Sequence, residues 1–392
     1  MVSTILTIII ALIVLPGTIE LAMLTIGAVL YHRRDNRFPE GTEFHRTAII
    51  IPAHDEELHI QKTIKSLLSC EVKNGEFEII VIADNCIDST AEKAQKAGAR
   101  VLERSHLEKI GKGYALDFAF KALLKEKFDS FIVVDADTIV NNNLIIEFQN
   151  LFKTGADAGQ CHYHVSNPEA SLRARLMKIA FLAFNILRPQ GRQYFGFSVG
   201  LAGNGFGLSR KTIEDVPYTA SSIVEDLEYH LNLVKAGKCV HFIDKTAVWS
   251  DMPTTATISE SQRARWEGGR FRMIITHTPL LFKEIIFRRR TKLIEPLLEL
   301  LLLPLAFHTL LILLALLLSG IIGIYLFAFS FSVLLIHILT TILTNNEKLN
   351  NLKALCLAPM YILWKLKIIN KLFFSLKNNA SWKRTIRDKK IS

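Results

Sequence analysis

Two carboxylates stand together at the end of an apolar run. Asp135 and Asp137 follow the residues Phe-Ile-Val-Val at positions 131–134, a run that predicts a buried strand. Carboxylates at this spacing can hold a hard divalent cation against diphosphate oxygens, and the cation then offsets the charge of a departing diphosphate. An isolated Asp-x-Asp is also common in ordinary loops and helix caps, so the position after a buried strand is what favours a metal site.

A lysine between two glycines could supply positive charge to phosphate. Lys112 lies between Gly111 and Gly113, just before a predicted helix. The glycines allow close backbone approach, and the lysine offers a mobile cation. The same three residues are typical of a solvated turn, so alone they indicate little.

Two further polar groups come later in the chain. Glu225 or Asp226 could remove a proton from a hydroxyl, although a helix N-terminus also favours acidic residues through its dipole. Gln262, Arg265 and Trp266 form the pattern Q-x-x-R-W and share one face of a helix. The arginine could pair with diphosphate oxygens, and the tryptophan could stack on a sugar ring.

Alternating strands and helices are predicted to position these groups. Strands are expected at 47–52, 78–83, 100–102 and 131–134, with helices at 58–68, 88–97 and 114–124. The alternation predicts an α/β domain with a mainly parallel sheet and helices on both faces. Ligands bind such sheets beyond the carboxyl ends of the strands, which is where the polar residues at 54–57, 84–85 and 135–137 fall.

Both ends of the chain are predicted to contact lipid. Residues 2–31 carry one charge, Glu20, and exceed the ~20 residues that cross a bilayer. Arg33, Arg34 and Arg37 follow, so the positive-inside rule places that flank in the cytoplasm. Residues 300–344 contain no charged residue and are long enough for two spans, with a turn at Ser319-Gly320.

The remaining C-terminal residues are predicted to form an interfacial amphipathic helix with a basic tail. Lys365, Lys367 and Lys371 interrupt an apolar stretch there, which favours a helix lying in the interface, with a further span as the alternative. The expected organisation is a span at 1–31, a soluble domain at 45–285, two spans at 293–344 and the interfacial helix and tail at 353–392.

The net charge of +10 gathers beside the apolar ends, which favours contact with a membrane surface. We find no nucleic-acid-binding motif. The five cysteines are scattered and odd in number, which favours reduced thiols over a disulfide framework.

The motifs together resemble family 2 glycosyltransferases of the GT-A fold, with their three aspartate motifs and Q-x-x-R-W. The resemblance covers residues 45–285 and rests on P-A-H-D-E-E at 52–57, A-D-N at 83–85, G-K-G, D-A-D, E-D and Q-R-A-R-W. The last motif is similar to that of the branch that contains the cellulose, chitin, hyaluronan and poly-N-acetylglucosamine synthases and ceramide glucosyltransferase. The stretches A-D-N-C-I-D-S-T and G-K-G-Y-A-L-D resemble bacterial exopolysaccharide glycosyltransferases of the methanolan type.

The resemblance implies a role for each motif. It implies that a UDP-sugar contacts Ala53, Glu56, Asp84, Lys112, Asp135, Gln262 and Arg265. It implies that Glu225, Trp266 and Asn204 border the acceptor, and that Asp226 is the catalytic base of an inverting transfer. Asp135 and Asp137 would hold Mg²⁺ or Mn²⁺.

The function that the resemblance implies is sugar transfer in bacterial exopolysaccharide biosynthesis. The acceptor would be polyprenyl-linked or a growing polysaccharide, at the inner membrane, with a cytoplasmic catalytic domain and other exopolysaccharide-assembly proteins as candidate partners. A processive β-glycan synthase, a lipid glycosyltransferase similar to ceramide glucosyltransferase and an inactive membrane scaffold are the alternatives. Two departures stand out: Asp55 replaces a commoner Asn, and the expected spans are fewer than polymer-extruding synthases use.

Overall fold

The computed structural model describes residues 2–31, 45–73, 75–253, 255–318, 321–345 and 347–366. Three of the sequence expectations fall outside these described residues. They are the basic flank with Arg33, Arg34 and Arg37, the Ser319-Gly320 turn, and the part of the predicted interfacial helix and tail after residue 366.

A mixed eight-stranded sheet forms the centre of the domain, as the sequence predicted for its first half. The strands are β1 (His45–Ala53), β2 (Gly75–Asp84), β3 (Arg100–Arg104), β4 (Ser130–Val133), β5 (Thr138–Val140), β6 (Ala158–Val165), β7 (Phe206–Ser209) and β8 (Val240–Ser250). Their order is β3-β2-β1-β4-β7-β6-β8-β5. Strands β3, β2, β1 and β4 are parallel, as are β6 and β8, whereas β7 and β5 run antiparallel to their neighbours.

Helices cover both faces of the sheet and extend from it toward the apolar ends. They are α1 (Val2–Tyr31), α2 (Ile60–Leu68), α3 (Thr90–Lys96), α4 (Lys112–Leu123), α5 (Leu144–Lys153), α6 (Leu172–Leu182), α7 (Arg188–Phe195), α8 (Arg210–Asp215), α9 (Glu225–Lys235), α10 (Ala256–Arg288), α11 (Ile294–Leu301), α12 (Leu305–Leu318), α13 (Ile321–Leu343), α14 (Lys348–Cys356) and α15 (Ala358–Leu366). A π-helical turn, Ala183–Leu187, joins α6 to α7.

Alternate residues of β1 feed two separate cores. Ile50 packs with α4 on one face, and Ile49 and Ile51 pack with α2 and α5 on the other. All three isoleucines are completely buried. A parallel strand covered on both faces reads as a continuous apolar run, which is why this strand could be predicted from composition alone.

Two of the described helices, α1 and α13, are long and apolar enough to cross a membrane. They lie side by side and run in the same direction, because Thr18 contacts Ser330 at 3.2 Å and Thr25 contacts His337 at 2.8 Å. Their outward faces are exposed and apolar. Small polar groups therefore pair inside the helix bundle, where lipid could not satisfy them.

The region expected to begin the second span is bent. The helical segments Thr291–Leu301 and Leu305–Leu317 meet at 79° and form one span only as a broken pair. Helix α12 has 14 residues, or about 21 Å at 1.5 Å per residue, which is shorter than the ~30 Å hydrocarbon core. Leu302 has extended backbone at the end of α11, and Pro304, two residues later, disfavours helical backbone at Leu303. The two spans expected at 293–344 thus correspond to one helix long enough to cross a membrane, α13, and to one bent pair that is long enough only when its two helices are taken together.

Helix α1 packs directly against the soluble domain through two glycines. A Cβ on Gly191 of α7 would lie 2.3 Å from the backbone oxygen of Leu24, and one on Gly27 would lie 2.8 Å from the oxygen of Gly191. Beside this contact Arg192 forms a buried ionic cluster with Glu20, Glu295 and Glu299. The N-terminal helix is therefore part of the domain's packed interior.

We expect Gly191→Ala to destabilise the protein by about 1–3 kcal/mol, the usual cost of overpacking. The added methyl group meets a backbone oxygen, which cannot rotate away. Thermal unfolding in detergent measures the loss. Val29→Leu adds a methylene on the exposed face of α1 and serves as the control. An unchanged unfolding midpoint for Gly191→Ala would contradict the close helix contact.

Candidate active site

One cavity of about 1090 Å³ opens at the carboxyl ends of β1, β2 and β4. It is lined by almost all the residues selected from the sequence: Ala53, Glu56, Asp84, Lys112, Asp135, Asp137, Glu225, Asp226, Gln262, Arg265 and Trp266. The strands and helix N-termini that carry them are far apart in sequence. Their convergence at one sheet edge is the arrangement expected for a doubly covered parallel sheet.

The Asp-x-Asp pair lies in the turn between β4 and β5. The backbone N–H of Asp135 donates to the Asn204 side-chain oxygen at 3.0 Å, and its carboxylate accepts from Lys112 at 2.5 Å. Asp137 lines the cavity two residues later. Carboxylate oxygens here form a hard donor set that suits Mg²⁺ or Mn²⁺.

Lys112 begins α4, and both flanking glycines have a structural reason. Gly111 has φ +130°, and a Cβ on Gly113 would lie 2.3 Å from the backbone oxygen of Ala220. The lysine ammonium also donates to the backbone oxygen of Gly203. The glycine was expected to let a ligand approach the backbone closely. Instead the backbone of Ala220 occupies that position, and this packing fixes Lys112 beside Asp135.

Lys112 is surrounded by negative charge. Burial lowers the pKa of Lys112, but the carboxylates of Asp135, Glu225 and Asp226 oppose this and raise the pKa overall. The lysine therefore remains a cation, available to phosphate oxygens as well as to Asp135.

Glu225 and Asp226 form the first turn of α9. Burial raises the pKa of both carboxyls, the charge of Asp226 raises that of Glu225 further, and Lys112 lowers both. Gly203 lies against Asp226, since a Cβ on this glycine would be 3.1 Å from the Asp226 Oδ2 atom. A carboxyl with a raised pKa beside open space has the properties of a general base.

The cavity end formed by β1 and β2 holds Asp84 in an ion pair that the sequence did not reveal. Arg104 pairs with the Asp84 carboxylate, and both side chains are under a tenth exposed. The Asp84 backbone oxygen accepts a hydrogen bond from His54 at 2.7 Å. Glu103-Arg104 belongs to the stretches that resemble the exopolysaccharide enzymes, but the sequence does not indicate its partner. The parallel register of β2 and β3 sets Arg104 opposite Asp84.

The Asp55 departure has a simple geometric explanation. Asp55 has φ +53°, a conformation that Asn and Asp tolerate best among residues with a Cβ. Its Oδ1 atom accepts a hydrogen bond from the backbone N–H of Ile87 at 2.8 Å. Asn offers the same acceptor oxygen, so either residue can hold this loop.

A second acidic group, Asp55, Cys86 and Asp88, is close enough to suggest a metal site. Asp88 already accepts from the backbone N–H groups of Glu57 at 3.2 Å and Thr90 at 2.9 Å. Burial raises the pKa of the Cys86 thiol to about 11, which keeps it neutral and a poor ligand. Hydrogen bonds explain this loop, and the pair at 135–137 remains the metal candidate.

The Q-x-x-R-W residues lie on one face of α10, as predicted. Gln262, Arg265 and Trp266 all line the cavity. Trp266 packs against the cluster that contains Met177 and Met252. Burial lowers the pKa of Arg265, and the charge of Glu225 works against that change.

The rest of the cavity lining described here carries no sequence motif. It contains an apolar wall from α6 and the π-helical turn, made of Leu176, Met177, Ala180, Phe181 and Phe184. The α11–α12 connection, residues 302–306, continues this side. Arg188 and Arg270 also line it. The available sequence signal was the apolar run at 179–187 that ends at Arg188.

Asn204 is placed differently from the expectation. It is completely buried, and it is not among the residues that line the cavity. Its amide group donates to Thr138 at 2.9 Å and to Ser250 at 3.3 Å, while its oxygen holds the Asp135 backbone. Asn204 thus supports the Asp135 turn from behind the cavity lining, and a role toward an acceptor stays a prediction.

We expect Asn204→Ala to lower the free energy of unfolding by about 1–3 kcal/mol, because the buried N–H of Asp135 loses its acceptor. Denaturant titration of the purified protein measures this. Asn142→Ala is the matched control, since Asn142 bonds Glu71 on the exposed surface. Equal stabilities of the two variants would show that the Asn204 network does not hold the turn.

Comparison with known proteins supports the resemblance of the α/β domain to family 2 glycosyltransferases. A family model described as "Glycosyltransferase like family 2" matches residues 45–269, which is more than half of the 392 residues. Over 252 residues the chain is 25% identical to "Probable glycosyltransferase YdaM" of Bacillus subtilis, covering 62% of this chain and 59% of that protein. It is 28% identical over 254 residues to "Beta-monoglucosyldiacylglycerol synthase" of Nostoc sp., covering 62% of this chain and 53% of that protein. The chain thus matches somewhat more than half the length of these curated relatives.

A solved structure has the same fold over almost the whole chain. It is the mannosyltransferase PcManGT from Pyrobaculum calidifontis, in complex with GDP-Man and Mn²⁺, with a TM-score of 0.55 and 12% identity, covering 96% of this chain and 97% of that one. At this identity the likeness concerns the fold. With its GT-A fold and the family match over residues 45–269, the chain belongs to glycosyltransferase-like family 2.

Proposed function

We propose that this chain transfers a sugar, with inversion, from a nucleotide diphosphate sugar to a hydroxyl group of a lipid acceptor at a membrane surface. The observation that carries the proposal is the composition of one cavity. Acidic and cationic groups gather at the sheet edge, and the apolar wall from α6 and the connection between the bent helices α11 and α12 line the same cavity.

The donor fits the polar end of the cavity. Ala53, Glu56 and Asp84 would contact the uridine, as the motif resemblance implies. Lys112 and Arg265 are the cations that can face the diphosphate. The solved mannosyltransferase is in complex with GDP-Man and Mn²⁺, and we extend that ligand class, a nucleotide sugar with a divalent ion, to this chain.

Asp135 and Asp137 would hold the divalent ion. A bound Mg²⁺ or Mn²⁺ supplies charge neutralisation for the diphosphate leaving group. Lys112 adds a further positive charge and keeps Asp135 in place through their 2.5 Å contact. The donor set, made only of carboxylates, suits a hard ion.

Asp226 would act as the base. As the acceptor oxygen bonds to the anomeric carbon, its proton moves to the Asp226 carboxylate. The bond between the anomeric carbon and the diphosphate oxygen breaks at the same time, and UDP leaves with its electron pair. Attack from the side opposite the leaving group inverts the anomeric configuration, so an α-linked donor gives a β-linked product.

Two observations support a lipid acceptor. The apolar wall lines the same cavity as the carboxylates, and so does the α11–α12 connection, which packs against α1. One relative is named a monoglucosyldiacylglycerol synthase. A polyprenyl-linked intermediate of exopolysaccharide assembly belongs to the same acceptor class, whereas a growing polysaccharide would need a polar groove.

The proposed setting is a bacterial inner membrane with the catalytic domain in the cytoplasm. Helices α1 and α13 would cross it, and the bent pair α11–α12 would enter it from the catalytic side. A membrane-held enzyme meets a lipid acceptor in two dimensions, which raises the effective concentration.

We expect Asp226→Asn to lower transfer by about 10²–10⁴-fold, the usual contribution of a general base, with nucleotide affinity retained. Product formation is measured by mass and UDP binding by calorimetry. Glu225→Gln tests the neighbouring carboxyl, and Glu214→Gln on the exposed surface of α8 is the control. Equal losses of transfer and UDP affinity in Asp226→Asn would exclude its role as base.

Chelation is expected to stop turnover, because the diphosphate charge is then left without its divalent partner. EDTA should abolish UDP release, and added Mn²⁺ or Mg²⁺ should restore it. Asp137→Asn should raise the metal concentration needed for half-maximal rate, whereas Asp117→Asn on the surface of α4 should not. Undiminished turnover in EDTA would refute the proposed role of the pair.

The acceptor class is tested by offering the purified protein alternative acceptors. A panel of UDP-sugars is combined with diacylglycerol, polyprenyl phosphate or soluble oligosaccharides, and UDP release and product mass are measured. We expect the lipids, and not the oligosaccharides, to stimulate release. Repeated sugar addition to oligosaccharides would instead establish the processive polysaccharide alternative.

A further inference from the structure

Arg188 is a buried cation at the cavity's apolar side. It is 6% exposed and lines the cavity. Its Nε atom donates to His337 at 3.5 Å, and its guanidinium lies 5.6 Å from the centre of the Phe184 ring. Among the described residues, no carboxylate oxygen lies within the 4.0 Å of an ion pair with it.

The neighbouring carboxylates are all directed at another arginine. Arg192 contacts Glu20 at 3.0 Å, Glu299 at 3.7 Å and also Glu295. Arg270, the third arginine here, donates to the backbone oxygens of Glu299 and Leu302. The ionic cluster therefore satisfies Arg192 and leaves Arg188 with a neutral imidazole and an aromatic ring.

Arg188 and Lys112 have different charged neighbours. The charged groups that act on it are Arg192, Arg270, Glu20 and Glu299. Those that act on Lys112 are instead Asp135, Glu225 and Asp226. A single cavity thus contains two cationic regions, and the region with Arg188 belongs to the side that faces the membrane helices.

Arg188 contacts α13 in the C-terminal part of that helix, which is one of the two candidate membrane spans. Its partner His337 also contacts Thr25, and these two residues lie within the last two turns of α13 and α1. The ends of membrane-spanning helices lie near the interface, where lipid phosphates are found. Phe184, from the apolar wall, is adjacent to Arg188.

We propose that Arg188 binds a phosphate group carried by the lipid acceptor, set between the acyl or prenyl chain and the hydroxyl that receives the sugar. This inference rests on the proposed function and narrows the acceptor to phosphate-bearing lipids. A buried guanidinium without a carboxylate is costly, and an anion in the cavity offsets that cost. The planar fork of arginine matches two phosphate oxygens, and the apolar wall accommodates the chain.

The experiment measures binding, so that it does not depend on turnover. The full chain is purified in dodecyl maltoside, which contains no phosphate, and is saturated with UDP and Mn²⁺ to occupy the donor end. The probes are dihexanoyl phosphatidic acid, dihexanoylglycerol and inorganic phosphate, and calorimetry gives each dissociation constant. We expect phosphatidic acid to bind at least ten times more tightly than either other probe.

Three variants test whether Arg188 causes the preference for phosphatidic acid. Arg188→Met should remove it, Arg188→Lys should retain part of it with the fold preserved, and Lys121→Met on the exposed face of α4 should leave it intact. Equal binding of the two lipids by the wild-type chain would overturn the inference, and so would an unchanged preference in Arg188→Met. Inorganic phosphate binding as tightly as phosphatidic acid would assign the site to free phosphate and overturn the lipid source.

The inference and the proposed function fail in different ways. Transfer to dihexanoylglycerol by a wild-type chain that binds phosphatidic acid no more tightly than dihexanoylglycerol would uphold lipid transfer and exclude a phosphate at Arg188. No transfer to any hydroxyl-bearing lipid from any donor, with phosphatidic acid still bound through Arg188, would uphold the phosphate site and exclude transfer.

Discussion

The repulsion between carboxylates gathered at one sheet edge is the constraint on which the site depends. Asp135, Asp137, Glu225 and Asp226 line one cavity, and Lys112 is the cation placed among them. Its contact with Asp135 ties the N-terminus of α4 to the end of β4, and its charge moderates the raised pKa values of the α9 carboxyls. Two glycines, a buried asparagine and the turn after β4 all serve to keep these charges close together. A divalent ion that binds with the substrate would then enter a site where the fold already holds the mutually repelling carboxylates close together.

The other side of the cavity depends on a different balance of charge. Arg192 is almost completely buried and is shared by α1, through Glu20, and by α11, through Glu295 and Glu299. Burying an ion pair is costly, and removing one partner costs more than the pair contributes, because a charge is left alone. This cluster therefore fixes the relative positions of the anchor helix, the helix beside the apolar wall and the bent segment that closes the cavity.

The sequence predicted the parallel half of the sheet and most of the polar residues of the cavity, because buried parallel strands read as apolar runs and their ends carry the chemistry. It did not predict β5 to β8, because β5 and β7 are only three and four residues long, and β6 and β8 contain polar residues such as His in irregular positions. The Arg192 cluster joins residues 172 and 103 positions apart, and no local pattern reports such contacts. Asn204 was assigned to the acceptor by motif position, and only its burial shows that it holds a backbone. The bend before α12 lies at Pro304. This proline stands inside an uncharged stretch, and composition alone does not reveal the bend.

The glycine contact between α1 and α7 makes the N-terminal helix part of the packing of the domain. A fragment that began after this helix would uncover a flat glycine-lined surface on α7 and would leave Arg192 without Glu20. Exchange of α1 for an unrelated hydrophobic helix would preserve attachment to a bilayer but would lose both the close fit and the counter-charge. In this chain the candidate membrane helix α1 and the glycosyltransferase domain therefore cannot be exchanged as independent modules, and substitutions on their facing surfaces are expected to be coupled through evolution.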